Sequence, residues 1–158
     1  FTLRGSSTCT QNCTGVIVLS SEFVPPITPN VQLFITGSSN QGNNCFGVVL
    51  SESTFGKLLT TFVDGIGNTG VYIEDTELDS DGEYRGTAIG GVNGINTASG
   101  IGIFMTGEID IESDVNANFI GYSTASHGIM IISFFDEINF GSKIILEGHG
   151  NLIVSDTL

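Results

Sequence analysis

Apolar and polar residues alternate along most of the chain, in short runs that end at Gly, Asn, Asp or Ser. A repeat of two residues is typical of β-strands that bury one face. The pattern predicts strands at Gly15–Val24, Val31–Thr36, Cys45–Ser51, Val71–Ser80, Glu83–Val92, Ile101–Ser113, Ala117–Thr124, Ile129–Phe135, Lys143–Gly148 and Asn151–Ser155. We therefore expect an all-β protein.

The most specific local signal is the dipeptide Asp81-Gly82. Asp-Gly favours the two-residue type I′ turn of an antiparallel hairpin, and this one lies between two predicted strands of matched length. We expect an antiparallel β-sandwich or jelly roll over residues 15–158, with a closed β-barrel as the alternative. Residues 1–14 are polar and are expected to form a flexible N-terminal arm.

One segment breaks the two-residue repeat. Its apolar residues recur at helical spacing, which predicts a short helix over residues 54–63: Phe55, Leu58, Leu59, Phe62 and Val63. Gly56 weakens that prediction, and the β-branched Thr60 and Thr61 favour a strand instead.

The clearest half-buried strand is Ile101–Ser113, in which the predicted inner face is apolar and the outer face is acidic. The inner positions are Ile101, Ile103, Met105, Ile109 and Ile111. Gly107 interrupts this apolar face, and we expect a β-bulge there.

The amino-acid composition of the chain argues against several classes of function. The 158 residues include 17 acidic and only four basic side chains, and the net charge is −13. A chain with so few basic groups is not expected to bind nucleic acid or anionic membranes through counterion release. No apolar run is long enough for a transmembrane helix. The excess charge lies in residues 64–158, whereas residues 1–63 are neutral.

The acidic residues are arranged in rows along predicted strands. One row contains Asp75, Glu77 and Asp79, with Asp81 and Glu83 beside the predicted turn, and a second contains Glu108, Asp110, Glu112 and Asp114. Oxygen ligands in such numbers suit Ca²⁺, so these residues are candidate metal ligands. The alternative is a solvated acidic face that keeps sheet edges apart.

Three cysteines lie in the neutral part of the chain. Cys9 and Cys13 are close in sequence, and Cys45 follows a polar segment. One interpretation is that all three are thiols. The other is that they are oxidised outside the cell, with Cys9 or Cys13 bonded to Cys45 and the remaining cysteine available to a neighbouring subunit. Asn12-Cys13-Thr14 is a candidate glycosylation site at Asn12.

The sequence contains no recognisable catalytic motif, and no enzymatic activity is expected. We expect an extracellular structural protein that assembles with copies of itself into a filament, sheath, layer or shell. Strand-edge contacts, with or without inter-subunit disulfides, would hold the assembly. The alternative is a Ca²⁺-dependent β-sandwich module that binds a carbohydrate or a receptor, or a viral coat or fibre domain.

Overall fold

Every described strand pairs with its neighbours in parallel. The computed structural model describes residues 1–24, 31–40, 42, 44–57, 59–89, 100–111, 115–133, 139–140 and 143–156. These residues contain no helix. Their strands are β1 (Thr2–Ser6), β2 (Thr14–Leu19), β3 (Glu22–Phe23), β4 (Val31–Ser38), β5 (Phe46–Ser51), β6 (Thr54–Phe55), β7 (Leu59–Gly67), β8 (Thr69–Leu78), β9 (Asp81–Ala88), β10 (Ile103–Ile111), β11 (Asn116–Ser133), β12 (Asn139–Phe140) and β13 (Lys143–Asp156).

The long strands alternate between the two faces of a flattened parallel β-solenoid. The first face contains β1, β4, β7, β9 and the first halves of β11 and β13, in that order. The second face contains β2, β5, β8, β10 and the second halves of β11 and β13. Each coil of the chain therefore adds one strand to each face, and each strand pairs with strands one coil away.

A short third face continues the second one. It is formed by β3, β6, the ends of β8 and β10, and β12. The chain bends between these faces at residues with positive φ, among them Glu52, Asp75 and Gly107. The β-bulge predicted at Gly107 is confirmed, because the β8–β10 register shifts between Thr106 and Ile109.

The core consists of columns of apolar side chains from consecutive coils. One column on the first face contains Ile35, Val63, Tyr84 and Phe119, and one on the second contains Val48, Val71, Ile103 and Ile129. All of these side chains are buried. The in-register stacking explains their close contacts, such as the Tyr84 and Phe119 rings, whose centroids lie 4.8 Å apart.

A small polar cluster lies inside this core. The hydroxyl groups of Thr61 and Ser80 are hydrogen-bonded at 2.9 Å, and the fully buried ring of Tyr84 lies beside them. Burial raises the pKa of Tyr84 above its ordinary value, and the two hydroxyl groups offset only part of that effect. Tyr84 is therefore a neutral phenol that fills the core.

Two columns of glycine form the narrow edge where the first face turns into the second. Gly5, Gly37, Gly65, Gly86, Gly121 and Gly148 are in register on the first face. A Cβ atom on any of the first five would overlap the backbone carbonyl of a glycine on the opposite face, at Gly15, Gly47, Gly70, Gly102 or Gly128. The backbones of the two faces thus approach so closely that no side chain fits between them.

The expected antiparallel sandwich or jelly roll is wrong, and so is the closed barrel. The described pairs are all parallel, and the sheet order runs from an edge at β1 to an edge at β2 without closing. The reason is that alternation reports only that a strand buries one face. It carries no information on the direction of the neighbouring strand.

The predicted hairpin at Asp81-Gly82 is also wrong. Both residues already belong to β9, where they pair with Thr60 and Thr61 of β7. The preceding strand, β8, pairs with β5, β6 and β10 on the other faces. The chain crosses from one face to the other at this point instead of folding back on itself. Asp81-Gly82 therefore does not form the hairpin turn that this dipeptide favours.

The helix predicted over residues 54–63 is replaced by β6 and the start of β7. Phe55, Leu59 and Val63 are buried, but Phe62 lies on the outer face, where its ring stacks on Phe34. The apolar residues of the segment have helical spacing because two strands, β6 and β7, follow one another across a short connection and each directs apolar residues inward. Leu58 lies outside the described residues. The segment expected to be an arm, residues 1–14, includes β1, which belongs to the first coil and pairs with β4 of the next coil.

Candidate functional site

The N-terminal end of the solenoid exposes apolar side chains. Within the described ranges, β1 pairs only with β4 and β2 pairs only with β5, so each has one uncovered edge. Leu3 of β1 is 37% exposed, whereas Ile35 and Val63, which follow it in the same inner column, are almost completely buried. The inner column is therefore incomplete at this end. Ile17 and Leu19, on the outer side of β2, are 60% and 57% exposed.

An apolar depression opens at the same end. It is lined mainly by Phe1, Leu3, Phe23, Val24 and Leu33. Phe23 stacks on Phe55 of the next coil at 5.2 Å, which places the depression beside the third face. An uncovered apolar surface on a solenoid end is the kind of surface that further coils normally cover.

The C-terminal end presents a second uncovered edge. Among the described strands, β13 pairs with β11 alone, along both faces. Ile144 and Leu146 are inner-column residues of this strand, yet they are only partly buried. Among the strands that the structure describes, β1, β2 and β13 therefore each have one unpaired edge, and these strands run in the same direction.

The structure brings part of the two acidic rows together. Because β8 and β10 are neighbours, Glu77 and Asp110 are directly paired, and Asp75 and Glu108 lie in the same shallow depression. Asp75 Oδ1 accepts a hydrogen bond from the Glu108 backbone at 3.0 Å, and Glu77 accepts one from Thr54 at 3.2 Å. The carboxylates of Asp75 and Glu77 therefore already accept hydrogen bonds from other groups of the protein.

The other acidic candidates lie elsewhere. Asp79 follows β8, and its backbone donates a hydrogen bond to the carbonyl of Phe55. Asp81 accepts a hydrogen bond from the Asn116 backbone at 2.7 Å, and Glu83 forms an exposed ion pair with Arg85 at 2.9 Å. These last two belong to β9, on the opposite face from β8.

Glu112 and Asp114 lie outside the described residues. Within the part of the chain that is described, no group of three or more His, Cys, Asp or Glu side chains is arranged to hold a metal ion. The calcium site stays a prediction from the sequence.

The disulfide differs from the expected pairing. Cys9 is bonded to Cys13, with the two Cα atoms 5.8 Å apart, a separation typical of disulfides. Cys45 is outside this bond and is 1% exposed. Closure between Cys9 and Cys13 leaves the buried Cys45, instead of an exposed cysteine of the N-terminal segment, as the odd residue. A direct inter-subunit disulfide through Cys45 would require the loop around it to open.

We expect Cys45 to resist alkylation in the folded protein. Iodoacetamide should label no cysteine under native conditions and one cysteine per chain in denaturant without reductant, because only Cys45 then carries an accessible thiol. Peptide mapping by mass spectrometry would identify the labelled residue. Rapid native labelling of Cys45, or a peptide that links Cys45 to Cys9 or Cys13, would contradict the arrangement.

The candidate glycosylation residue, Asn12, lies in the loop that contains the disulfide. It is exposed and adopts a positive φ, and its side-chain oxygen accepts a hydrogen bond from Asn44 of the next coil at 3.1 Å. Within the protein, the Asn12 amide thus connects two successive loops at this edge of the solenoid. Its glycosylation stays a prediction.

Two aromatic pairs lie on the outer surface of the first face. The rings of Phe34 and Phe62 stack with centroids 5.0 Å apart, and those of Tyr122 and His149 stack at 4.5 Å. In each pair the flat faces are turned toward each other along the solenoid axis. This arrangement covers the ring faces that a sugar-binding platform would have to present to its ligand.

The alternation within single strands did not reveal the sequence repeat that underlies the solenoid. Glycine followed by three mostly apolar residues begins each strand of the second face, as in Gly15–Val18, Gly47–Leu50, Gly70–Ile73, Gly102–Met105 and Gly128–Ile131. The spacing between these copies is irregular. A search for a motif at unequal intervals, instead of a fixed period, would have found it.

Comparisons with known proteins identify no relative of this chain. No protein family, curated protein or solved structure matches the chain. No helix able to cross a lipid bilayer occurs in the described part of the chain.

Proposed function

We propose that this chain is an extracellular structural protein whose copies assemble through the open strand edges of the solenoid. The observation that carries the proposal is the pair of uncovered parallel edges, one at β1 and β2 and the other at β13. No enzymatic activity is part of the proposal.

Parallel edges at opposite ends favour a head-to-tail contact. A strand of one copy that pairs with the edge of another adds main-chain hydrogen bonds and buries the apolar residues that the edge exposes. Because the two contacting surfaces differ, the same contact can be repeated at each new end, and the product is an open filament. A viral fibre or coat subunit is one form of such an assembly.

The binding-module alternative depended on a sandwich, which the parallel architecture excludes. The outer aromatic pairs have their flat faces turned toward each other, and the acidic depression lacks a ligand cluster among the described residues. The geometry therefore supports self-assembly better than ligand recognition.

We expect the purified protein to form polymers as its concentration rises, both with and without reductant. Ile17→Lys should raise the concentration needed for assembly by about tenfold, because docking would bury part of this exposed side chain and a lysine on an edge strand opposes pairing. Light scattering and negative-stain electron microscopy would measure the effect.

Ile66→Lys is the matched control. Ile66 is 39% exposed on β7, a strand with neighbours on both sides, so the same substitution leaves both open edges intact. A wild-type protein that stays monomeric at all concentrations would refute the proposal. Equal effects of the two lysines would show that assembly does not use the N-terminal edge.

A further inference from the structure

We propose that the partner at the N-terminal edge is the C-terminal coil of a second copy, docked so that β13 continues the register of β1 and β2. In this joint Glu147 of one copy lies next to Arg4 of the other. The inference rests on the proposed self-assembly and adds its polarity, register and principal charge pair.

The register follows from the columns within one chain. On the first face, consecutive pairing places Leu3, Ile35, Val63, Tyr84, Phe119 and Leu146 in one column. On the second face, the column that begins at Val16 ends at Leu152. A second copy stacked with the same offsets pairs Leu146 with Leu3 and Leu152 with Val16, so the register of both faces continues across the joint.

The glycine edge also continues in this register. Gly148 of the docked copy lies next to Gly5, which belongs to the same glycine column within one chain. A joint in another register would interrupt this glycine column, which is continuous through all the interior coils. The glycine column therefore favours one register over those shifted along the strand.

Burial along the Leu3 column indicates that its two ends are incomplete. The four interior members are 0–2% exposed, whereas Leu3 is 37% exposed and Leu146 is only partly buried. Docking supplies each of these end residues with the neighbour that every interior residue of the column has. The same contact would partly cover Ile17, which lies on the outer side of β2.

Charge complementarity supports the same register. Arg4, Thr36, Asp64, Arg85, Ile120 and Glu147 form one outward column. Arg4 and Glu147 are its two ends, and both are exposed. Neighbouring strands lie about 4.8 Å apart, so opposite charges at these positions attract across the joint. The present partner of Glu147, His149 at 2.7 Å, belongs to the same outer surface.

The test is a charge-reversal cycle on the full chain. Arg4→Glu and Glu147→Arg should each raise the critical concentration for assembly by about tenfold, because each places like charges side by side. The double variant restores opposite charges and should return to within about threefold of wild type. Arg85→Glu, in an interior coil of the same column, changes the net charge as Arg4→Glu does and should leave assembly nearly unchanged. Sedimentation would measure all five proteins.

The outcomes separate the joint from the proposed function. Wild-type polymers that respond to the single reversals and recover in the double variant support the joint. Wild-type polymers that are insensitive to both reversals, or a double variant no better than the singles, overturn the joint and leave self-assembly standing. Absence of wild-type polymers overturns both. Circular dichroism of each variant confirms that a loss of assembly is not a loss of folding.

Discussion

Replacement of Gly86 by alanine should destabilise the protein by at least about 3 kcal/mol, the upper end of the range for an overpacked core. The new Cβ atom would overlap the carbonyl oxygen of Gly102 and lie 2.6 Å from the carbonyl carbon. Ile103 Cγ1, at 2.8 Å, closes the other side. A flexible side chain can move away from a methyl group, but a backbone within a sheet can move only if the neighbouring coils move with it. Urea unfolding followed by circular dichroism would measure the change.

Gly56→Ala is the control for that substitution. Gly56 is also buried, but a Cβ atom at this position would meet nothing closer than 3.3 Å, at the Phe23 carbonyl oxygen. We expect a change of less than about 1 kcal/mol, because the lower entropy of the unfolded chain offsets a small adjustment. Similar losses for the two variants would mean that the close approach at the glycine edge does not limit stability.

The second large effect is expected for Phe119→Ala, at about 3–5 kcal/mol. Phe119 is completely buried at an interior position of its column and stacks on Tyr84 at 4.8 Å. Truncation leaves a cavity that the sheets on either side cannot fill, since their spacing is set by the other columns. It also removes the ring contact, which leaves Tyr84 with one flat face unpacked.

Phe34→Ala provides a closely matched comparison. Phe34 also stacks on an aromatic ring of the next coil, at 5.0 Å, but it lies on the outer face and is 39% exposed. Its loss should cost about 1 kcal/mol, the contribution of an aromatic pair without a cavity. If the two truncations cost the same in a denaturant titration, burial within the columns would not be the main source of stability.

These two experiments also bear on assembly. The glycine edge and the apolar columns are the features that continue across the proposed joint between copies. A variant that destabilises the interior of the solenoid should therefore weaken assembly as well, whereas Arg4→Glu should weaken assembly alone. The comparison separates the stability of the coil from the strength of the contact.

The strand positions were accessible from the sequence because burial of one face imposes a two-residue alternation that is visible locally. The inner residues of Ile101–Ser113 were predicted correctly, and Ile103, Met105, Ile109 and Ile111 are all buried on one face of β10. The bulge at Gly107 was predicted because an interruption of the alternation is also a local signal. For the same reason the acidic residues of this strand could be placed on its outer face.

The direction and partners of the strands were not accessible in this way. Asp81-Gly82 has the composition of a hairpin turn, yet β8 and β9 belong to different faces, and β9 pairs with β7 and β11, which lie one coil away. The acidic rows show the consequence. Asp75 and Glu108 were predicted on separate rows and share one depression, whereas Asp81 and Glu83 are on the opposite face.

Local sequence patterns are sufficient to establish that the chain is built from β-strands, which face of each strand is apolar, and that the excess acidic charge lies beyond residue 63. The parallel direction of the strands, the bond between Cys9 and Cys13, and the position of Arg4 and Glu147 at the two ends of one column became visible in the three-dimensional fold alone. The difference arises from the distance along the chain at which each property is set. Alternation is a property of adjacent residues, whereas pairing joins residues one coil apart, and the irregular coil length conceals that period from any local pattern.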